Sequence, residues 1–214
     1  LSAFISGLVA VATVCLIAGR LKKSDNTLAL VLTGVVVGSI FSALISLFKI
    51  LADPYTQLST ITFWLMGGLN TITYTELAYT LPLLLCGLLP LVLLRWRVDL
   101  LTLGDEEAQS LGVNVAAVRL LLIVSATLMT SAAVAVSGMI GWVGLVIPHL
   151  CRKLVGNNYR YLLPASMIAG AIFLLIVDNV SRNLLAVEIP IGILTAFIGA
   201  PFFIYLIAKR EKTL

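Results

Sequence analysis

The chain has 214 residues, of which 60% are hydrophobic and only 11% are charged, and its mean hydropathy is +1.10. Because ordinary soluble domains carry about 25% charged residues, this composition excludes a soluble globule and predicts an all-α, multi-pass membrane protein. The net charge of +4 does not indicate nucleic-acid binding, since the basic residues stand in small groups beside apolar runs.

The three cysteines and the single histidine form no pattern of metal or redox chemistry. Cys15, Cys86 and Cys151 each lie in or at the end of an apolar run, without a Cys-x-x-Cys spacing. His149 has no partner base beside it in the sequence, and we expect it to pack and cap at a helix end. We therefore predict no catalytic residue, no metal site and no cofactor in this chain.

Seven apolar windows are candidates for membrane crossings, which need about 20 apolar residues each. The predicted crossings are 2–19, 28–51, 77–94, 115–136, 137–153, 162–185 and 190–208. Pro82 and Pro90 predict a bend in the third crossing. In the fifth, the spacing of Gly138, Gly141 and Gly144 predicts a ridge without side chains on a short, closely packed helix.

Two further segments do not fit a crossing. Leu58, Ile61 and Leu65 recur at helical spacing in a run that is too short to span, so we predict a short interfacial or re-entrant helix ended by Gly67–Gly68. The stretch from Arg95 to Asn114 is the long hydrophilic interruption of the chain. Its acids at 105–107 favour the first turn of a short helix, and a glycine at position 112 favours its end.

The distribution of positive charge predicts the orientation. If the seven crossings alternate, all of the 14 Lys and Arg residues except Lys49 and Arg182 fall on one side, which is the cytoplasmic side of a membrane protein. This places the Arg95 to Asn114 stretch inside, and the turns at Asp53 and Glu188 outside. An odd number of crossings leaves the first residue outside without a leader, so we expect further helices upstream.

Three motifs indicate a family. They are Leu103-Gly104-x-x-x-Ala108-x-x-Leu111-Gly112, the run from Ser137 to Arg152 (Ser-Gly-x-Ile-Gly-x-Val-Gly-Leu-x-Ile-Pro-His-x-x-Arg), and the run from Pro190 to Phe203 (Pro-Ile-Gly-x-x-Thr-x-x-x-Gly-Ala-Pro-x-Phe). With these motifs the chain resembles the permease subunits of FecCD-type ATP-driven importers, which carry iron-siderophore complexes, haem and cobalamin. The resemblance implies a bundle of ten crossings, of which residues 1–214 hold about the last seven.

The resemblance also implies roles for particular residues. Coupling helices at about 97–114 would contact a separate ATPase subunit, because this chain has no phosphate-binding loop of its own. The residues implied at that contact are Leu103, Gly104, Asp105, Glu106, Glu107, Ala108, Gln109, Leu111 and Gly112. Arg182 and Glu188 would dock an extracytoplasmic substrate-binding protein. A translocation path beside a second, identical or homologous permease copy is implied at Gly34, Gly38, Leu65 and Met66.

The function expected from the resemblance is that of a permease, not an enzyme, in the bacterial inner membrane, with ATP bound by the partner subunit. Ferric siderophore is the expected cargo because it is the commonest in the family. The first alternative is an ion-coupled secondary transporter in which Glu76 or Asp178 relays protons or sodium. However, Glu76 lies near a helix end, and Arg182 one turn from Asp178 can pair with it. The second alternative is a membrane anchor without transport.

Overall fold

The structure is a computed structural model that describes residues 2–20, 26–185 and 187–211. These residues form ten α-helices and, over those ranges, no strand: α1 (Ser2–Arg20), α2 (Asn26–Leu51), α3 (Gln57–Met66), α4 (Tyr74–Leu93), α5 (Arg95–Leu101), α6 (Asp105–Ser110), α7 (Val115–Ser137), α8 (Val143–Val155), α9 (Tyr159–Asn183) and α10 (Ile191–Glu211). The all-α prediction is therefore confirmed. Three of the basic residues used to predict orientation, Lys22, Lys23 and Lys212, lie outside the described residues.

Five of these helices, α1, α2, α4, α7 and α9, are long and apolar enough to cross a membrane. They coincide with five of the predicted crossings, and the short helix predicted before Gly67 is found as α3. With 13 residues, α8 is only about 20 Å long, against a hydrocarbon core of about 30 Å. The multi-pass membrane class is confirmed, whereas crossing by α8 and α10 stays a prediction.

Large apolar side chains cover the outside of the helices. Val31, Val35, Val36 and Ile40 of α2 are all at least 57% exposed. Lipid tails are as apolar as these side chains, so helices in a bilayer associate through close packing of small residues. The contact between α4 and α7 follows this rule, because a Cβ added at Gly87 would collide with Met129.

Polar side chains fix the first turns of three helices. Thr73 and Glu76 form a reciprocal capping box, which starts α4 three residues before the predicted position. Asn114 accepts a hydrogen bond from the N–H of Ala117 at the start of α7, and Asn158 caps α9 in the same way. Hydropathy predicts the start of α7 at Val115, as found, whereas the caps of α4 and α9 start each of these helices three residues before the apolar run.

The non-helical links at one end of the bundle bond to one another through their backbones. Gly68 N donates to Ser137 O at 2.8 Å, and Ile191 N donates to Gly67 O at 3.0 Å. A Cβ at Gly138 would collide with the carbonyl of Trp64, and a Cβ at Gly192 would collide with that of Met66. We call this contact between the end of α3, the link before α8 and the start of α10 the glycine junction (Gly67, Gly68, Gly138 and Gly192).

The predicted ridge of glycines along the fifth helix is wrong. The backbone has φ +66° at Gly138 and φ +68° at Trp142, so a helix cannot run through this segment and α8 begins only at Val143. An added Cβ would meet nothing within 4 Å at Gly141 or Gly144. Of the three predicted glycines, only Gly138 makes a close contact.

Trp142 has a left-handed backbone that is unusual for a bulky residue. Its ring lies 6.1 Å from that of Phe203, and its side chain fills the space that a Cβ at Gly199 would need. The conformation before α8 is therefore set by packing against α10.

We expect Gly138→Ala to destabilise the protein by about 2–4 kcal/mol, because the methyl group overpacks the junction and also forces alanine into a left-handed backbone. Thermal unfolding of the purified protein in detergent should show a midpoint lowered by several degrees. Gly144→Ala is the control, since an added Cβ there has open space and alanine favours a helix. Equal midpoints for the two variants would contradict the junction.

Candidate functional site

Two short helices occupy the hydrophilic stretch between α4 and α7. The helix α6 is the one that the acidic pattern predicts, and it begins at Asp105 as expected. The preceding residues form the separate helix α5 (Arg95–Leu101), which overlaps the range where the resemblance implies coupling helices. The predicted coupling range of 97–114 thus contains most of α5 and all of α6.

Two glycines set the limits of α6. Gly104 has φ +125° and ψ 159°, a conformation that is essentially restricted to glycine, and a Cβ there would collide with the Glu107 carboxylate. At the other end, Gly112 N donates to Gln109 O at 2.9 Å and Val113 N donates to Ala108 O at 3.0 Å. This is the Schellman pattern with glycine in the left-handed position. The prediction that Gly112 ends the helix is confirmed.

Apolar packing holds α5 and α6 to the first turn of α7. Ala108 has no exposed surface and packs with Val113, Val115 and Val118, and Leu100 and Leu101 of α5 lie against the same cluster. An ion pair at 2.9 Å also joins Asp105 to Arg119, and its partial exposure limits its contribution to about 0–1 kcal/mol. These three elements therefore form one packed unit.

The nine residues predicted for the ATPase contact therefore divide into two groups. Gly104, Ala108 and Gly112 shape α6, while Asp105 binds Arg119. The other five are exposed, and we call them the α6 face: Leu103, Glu106, Glu107, Gln109 and Leu111. Two exposed leucines, 59% and 56% accessible, flank its acidic side chains.

A cavity of about 580 Å³ lies at the C-terminal end of α9, between α3, the end of α7 and the link before α10. Arg182 of α9 donates from Nε to Asp178 Oδ2 at 2.8 Å and from a terminal nitrogen to Asp178 Oδ1 at 3.1 Å. The predicted pairing of these two residues is confirmed, and both side chains line this outer cavity.

Both residues predicted to dock a binding protein, Arg182 and Glu188, line the outer cavity. Asn70 donates a hydrogen bond from Nδ2 to Glu188 Oε2, which joins the links on either side of the cavity. Ser181 donates from Oγ to the carbonyl of Ile189, and the backbone carbonyl of Ser181 accepts from the N–H of Ile189. Neither Asn70 nor Ser181 is predicted from the sequence, because no local pattern joins either residue to its partner.

The four residues predicted for a translocation path occupy two places. Gly34 and Gly38 lie on α2, which packs mainly against α1, and an added Cβ at either would meet nothing within 4 Å among the described residues. Leu65 and Met66 are half-buried in the last turn of α3, beside the glycine junction. Their shared role stays a prediction.

The acidic residues that an ion-coupled carrier would use are engaged in local bonds. The Glu76 carboxylate accepts from the N–H and the hydroxyl of Thr73, both at 2.9 Å, which is the role of a helix cap. Asp178 is paired with Arg182. His149 lies in the middle of α8 with its ring 6.2 Å from that of Phe202, so its predicted packing is confirmed, but Gly156 ends the helix and the predicted capping is wrong.

Together, the five helices that are long and apolar enough to cross a membrane, the packed α5–α6 unit and the outer cavity indicate a multi-pass membrane protein. A model described as the FecCD transport family matches residues 1–209. The chain belongs to this family.

Individual relatives and a solved structure agree with this assignment. The chain is 46% identical over 188 residues to the molybdate import system permease protein MolB of Haemophilus influenzae, covering 87% of the chain and 56% of that protein. It is 39% identical over 200 residues to a probable iron chelatin transport system permease protein of Helicobacter pylori, covering 94% and 61%. A structure described as an inward-facing metal-chelate type ABC transporter matches with a TM-score of 0.83 and 42% identity, over 97% of the chain and 72% of that structure.

The chain thus spans somewhat more than half the length of these curated relatives. The fold is that of the described residues, and the family membership rests on the match over residues 1–209.

We expect Gly104→Ala to loosen α6, because alanine disfavours the backbone at position 104 by about 1–3 kcal/mol. Hydrogen exchange of the amides from Ala108 to Val113 should become roughly tenfold faster, while α9 keeps its protection. Gln109→Ala is the matched control, since this exposed position lies inside the helix. Unchanged exchange in the Gly104→Ala variant would show that the glycine does not fix α6.

Proposed function

We propose that the chain belongs to the membrane-spanning subunit of an ATP-binding cassette importer in the bacterial inner membrane. A separate ATPase subunit binds and hydrolyses ATP, and a substrate-binding protein delivers the cargo from outside. The family membership supports the general class, and the observation that carries the mechanism is the packed α5–α6 unit with its exposed acidic face.

The α6 face has the features of a protein-binding surface. Gly104 and Gly112 have backbone conformations that other residues rarely adopt, and Ala108 is fully buried. The short helix is therefore held in a defined shape. Exposed leucines beside acidic side chains offer both apolar contact and charge complementarity to a basic cleft. In this proposal, the ATPase subunit binds the α6 face and pushes on it from the cytoplasm.

The outer cavity suits the docking of the binding protein. Arg182 is 42% exposed although it is paired, so one face of its guanidinium remains open to a carboxylate of a partner. Glu188 lies on the same rim. The exposed apolar face of α2 suits a second permease copy, across which the path would run.

Ferric siderophore remains the proposed cargo, with molybdate as the second candidate. The iron chelatin permease of H. pylori and the metal-chelate transporter structure favour an iron chelate. The higher identity to the H. influenzae protein favours molybdate. Isothermal titration of the accompanying binding protein with ferric hydroxamate and with molybdate separates the two.

The general proposal is tested by reconstituting the full-length protein with its ATPase and binding protein in vesicles. An ATP-driven importer is supported if uptake requires ATP on the side of the membrane that carries the ATPase subunit. This uptake should persist without a proton or sodium gradient. Uptake that follows an ion gradient and ignores nucleotide would replace it with the secondary transporter.

Charge reversal tests the α6 face. Glu106→Lys combined with Glu107→Lys should lower ATP-driven uptake about tenfold or more, because like charges across an interface cost several kcal/mol. Glu106→Gln combined with Glu107→Gln keeps the shape and removes only the charge, so it should retain more uptake. If the reversed variant transports normally, the ATPase does not bind this face.

Two variants of the ion pair between Asp178 and Arg182 test the docking role, because they should change the affinity for the binding protein differently. Arg182→Ala should weaken binding-protein affinity about tenfold at low salt, and the loss should shrink as salt is raised. Asp178→Asn frees the guanidinium and should leave the affinity unchanged or higher. Surface plasmon resonance with the reconstituted permease measures both. A purely structural pair predicts equal losses for the two variants.

A further inference from the structure

Asp99 of α5 bonds to the first turn of α9, 60 residues further along the chain. Tyr159 N donates to Asp99 Oδ1 at 2.7 Å, and this contact is half-buried. The same turn already has a local cap, because Arg160 N donates to the side chain of Asn158 at 3.0 Å. The first N–H groups of a helix lack partners within the helix, so α9 takes one cap from its own sequence and one from α5.

The chemistry makes the contact with Asp99 a strong one. A carboxylate accepting from a backbone N–H forms a charge-assisted bond, and the positive end of the helix dipole favours the negative charge. The short N···O distance agrees with such a bond. The start of α9 is therefore tied to α5 by more than apolar contact.

The helix α5 has partners on two sides. Leu100 and Leu101 pack on the cluster around Ala108, which places them beneath the α6 face. Asp99 bonds to α9 instead, and α5 also packs against α9. A displacement of α6 therefore reaches α9 through α5.

The far end of α9 carries the charged lining of the outer cavity. Asp178, Ser181 and Arg182 all lie in its last two turns. From Tyr159 to Arg182 the helix rises about 34 Å, which is more than the hydrocarbon core of a bilayer. The same rod thus has the Asp99 bond at one end and the predicted docking residues at the other.

We propose that Asp99 is a positioning residue that couples movement of the α5–α6 unit to α9, and so links the ATPase side of the permease to the outer cavity. This inference rests on the proposed importer function. With the bond in place, the first turn of α9 follows α5 when the partner displaces it. Without the bond, α5 moves and α9 stays behind, so ATP is hydrolysed without opening the cavity end.

The test compares Asp99→Ala with Asn158→Ala in the full-length permease, reconstituted with its ATPase and binding protein. Asn158→Ala removes the local cap of the same helix but leaves the link to α5. The readout is ATP hydrolysed per ferric hydroxamate siderophore or per molybdate taken up, using whichever of the two the unmodified protein transports. Asp99→Ala should keep its ATPase rate within about twofold and lose about tenfold in uptake per ATP, while Asn158→Ala keeps the ratio.

Two results would overturn the inference. One is normal uptake per ATP in the Asp99→Ala variant. The other is a proportional loss of hydrolysis and uptake, which would make Asp99 a residue for assembly only. If the alanine variant does not assemble, Asp99→Asn takes its place, since the amide keeps an acceptor oxygen but no charge and should show an intermediate ratio.

A distance measurement adds a readout that a simple helix cap would not affect. Nitroxide labels at the exposed positions Trp96 and Tyr161 report the separation of α5 and α9 with and without ATP. The separation should stay constant in the unmodified protein and change on ATP binding in the Asp99→Ala variant. A constant separation in both proteins would contradict the coupling. Absence of ATP-driven uptake by the unmodified complex would instead reject the importer itself.

Discussion

Every backbone N–H and C=O group at membrane depth must find a partner inside the protein, because lipid offers none. The long helices satisfy this condition by themselves, but the links between them do not. At the cavity end the links satisfy one another, with Gly68 bonded to Ser137 and Ile191 bonded to Gly67. Such bonds require backbones in direct contact, which explains why two separate glycine-containing motifs meet there. The outer cavity lies beside this junction, and residues of the junction form part of its wall.

The sequence predicts helices well where one local signal dominates. Hydropathy alone places α2 and α7 almost to the residue, and acids followed by Gly112 place α6. The start of α8 is different, because the segment before it is as apolar as a helix and has helical glycine spacing. Its conformation is decided by contacts of Gly138 and Trp142 with α3 and α10, which no local pattern contains.

The candidate sites show the same division. Asp178 and Arg182 are one turn apart, so their pairing follows from the sequence. The bonds from Tyr159 to Asp99 and from Asn70 to Glu188 join residues 60 and 118 positions apart, and only the fold brings them together. Sequence similarity also assigned nine residues to one surface, whereas the structure separates those that build α6 from those that face outward. A motif thus records both roles without distinguishing them.

Trp142 has a further consequence for how the bundle moves. A left-handed backbone at a bulky residue costs about 1–3 kcal/mol and persists only where the surroundings enforce it. Here the surroundings are Gly199 and Phe203 of α10. If α8 slid along α10, the indole of Trp142 would lose its contacts with α10, and nothing would then stabilise the strained backbone. We therefore expect these two helices to travel as a single body, so that any rearrangement in this half of the protein occurs at their outer boundaries.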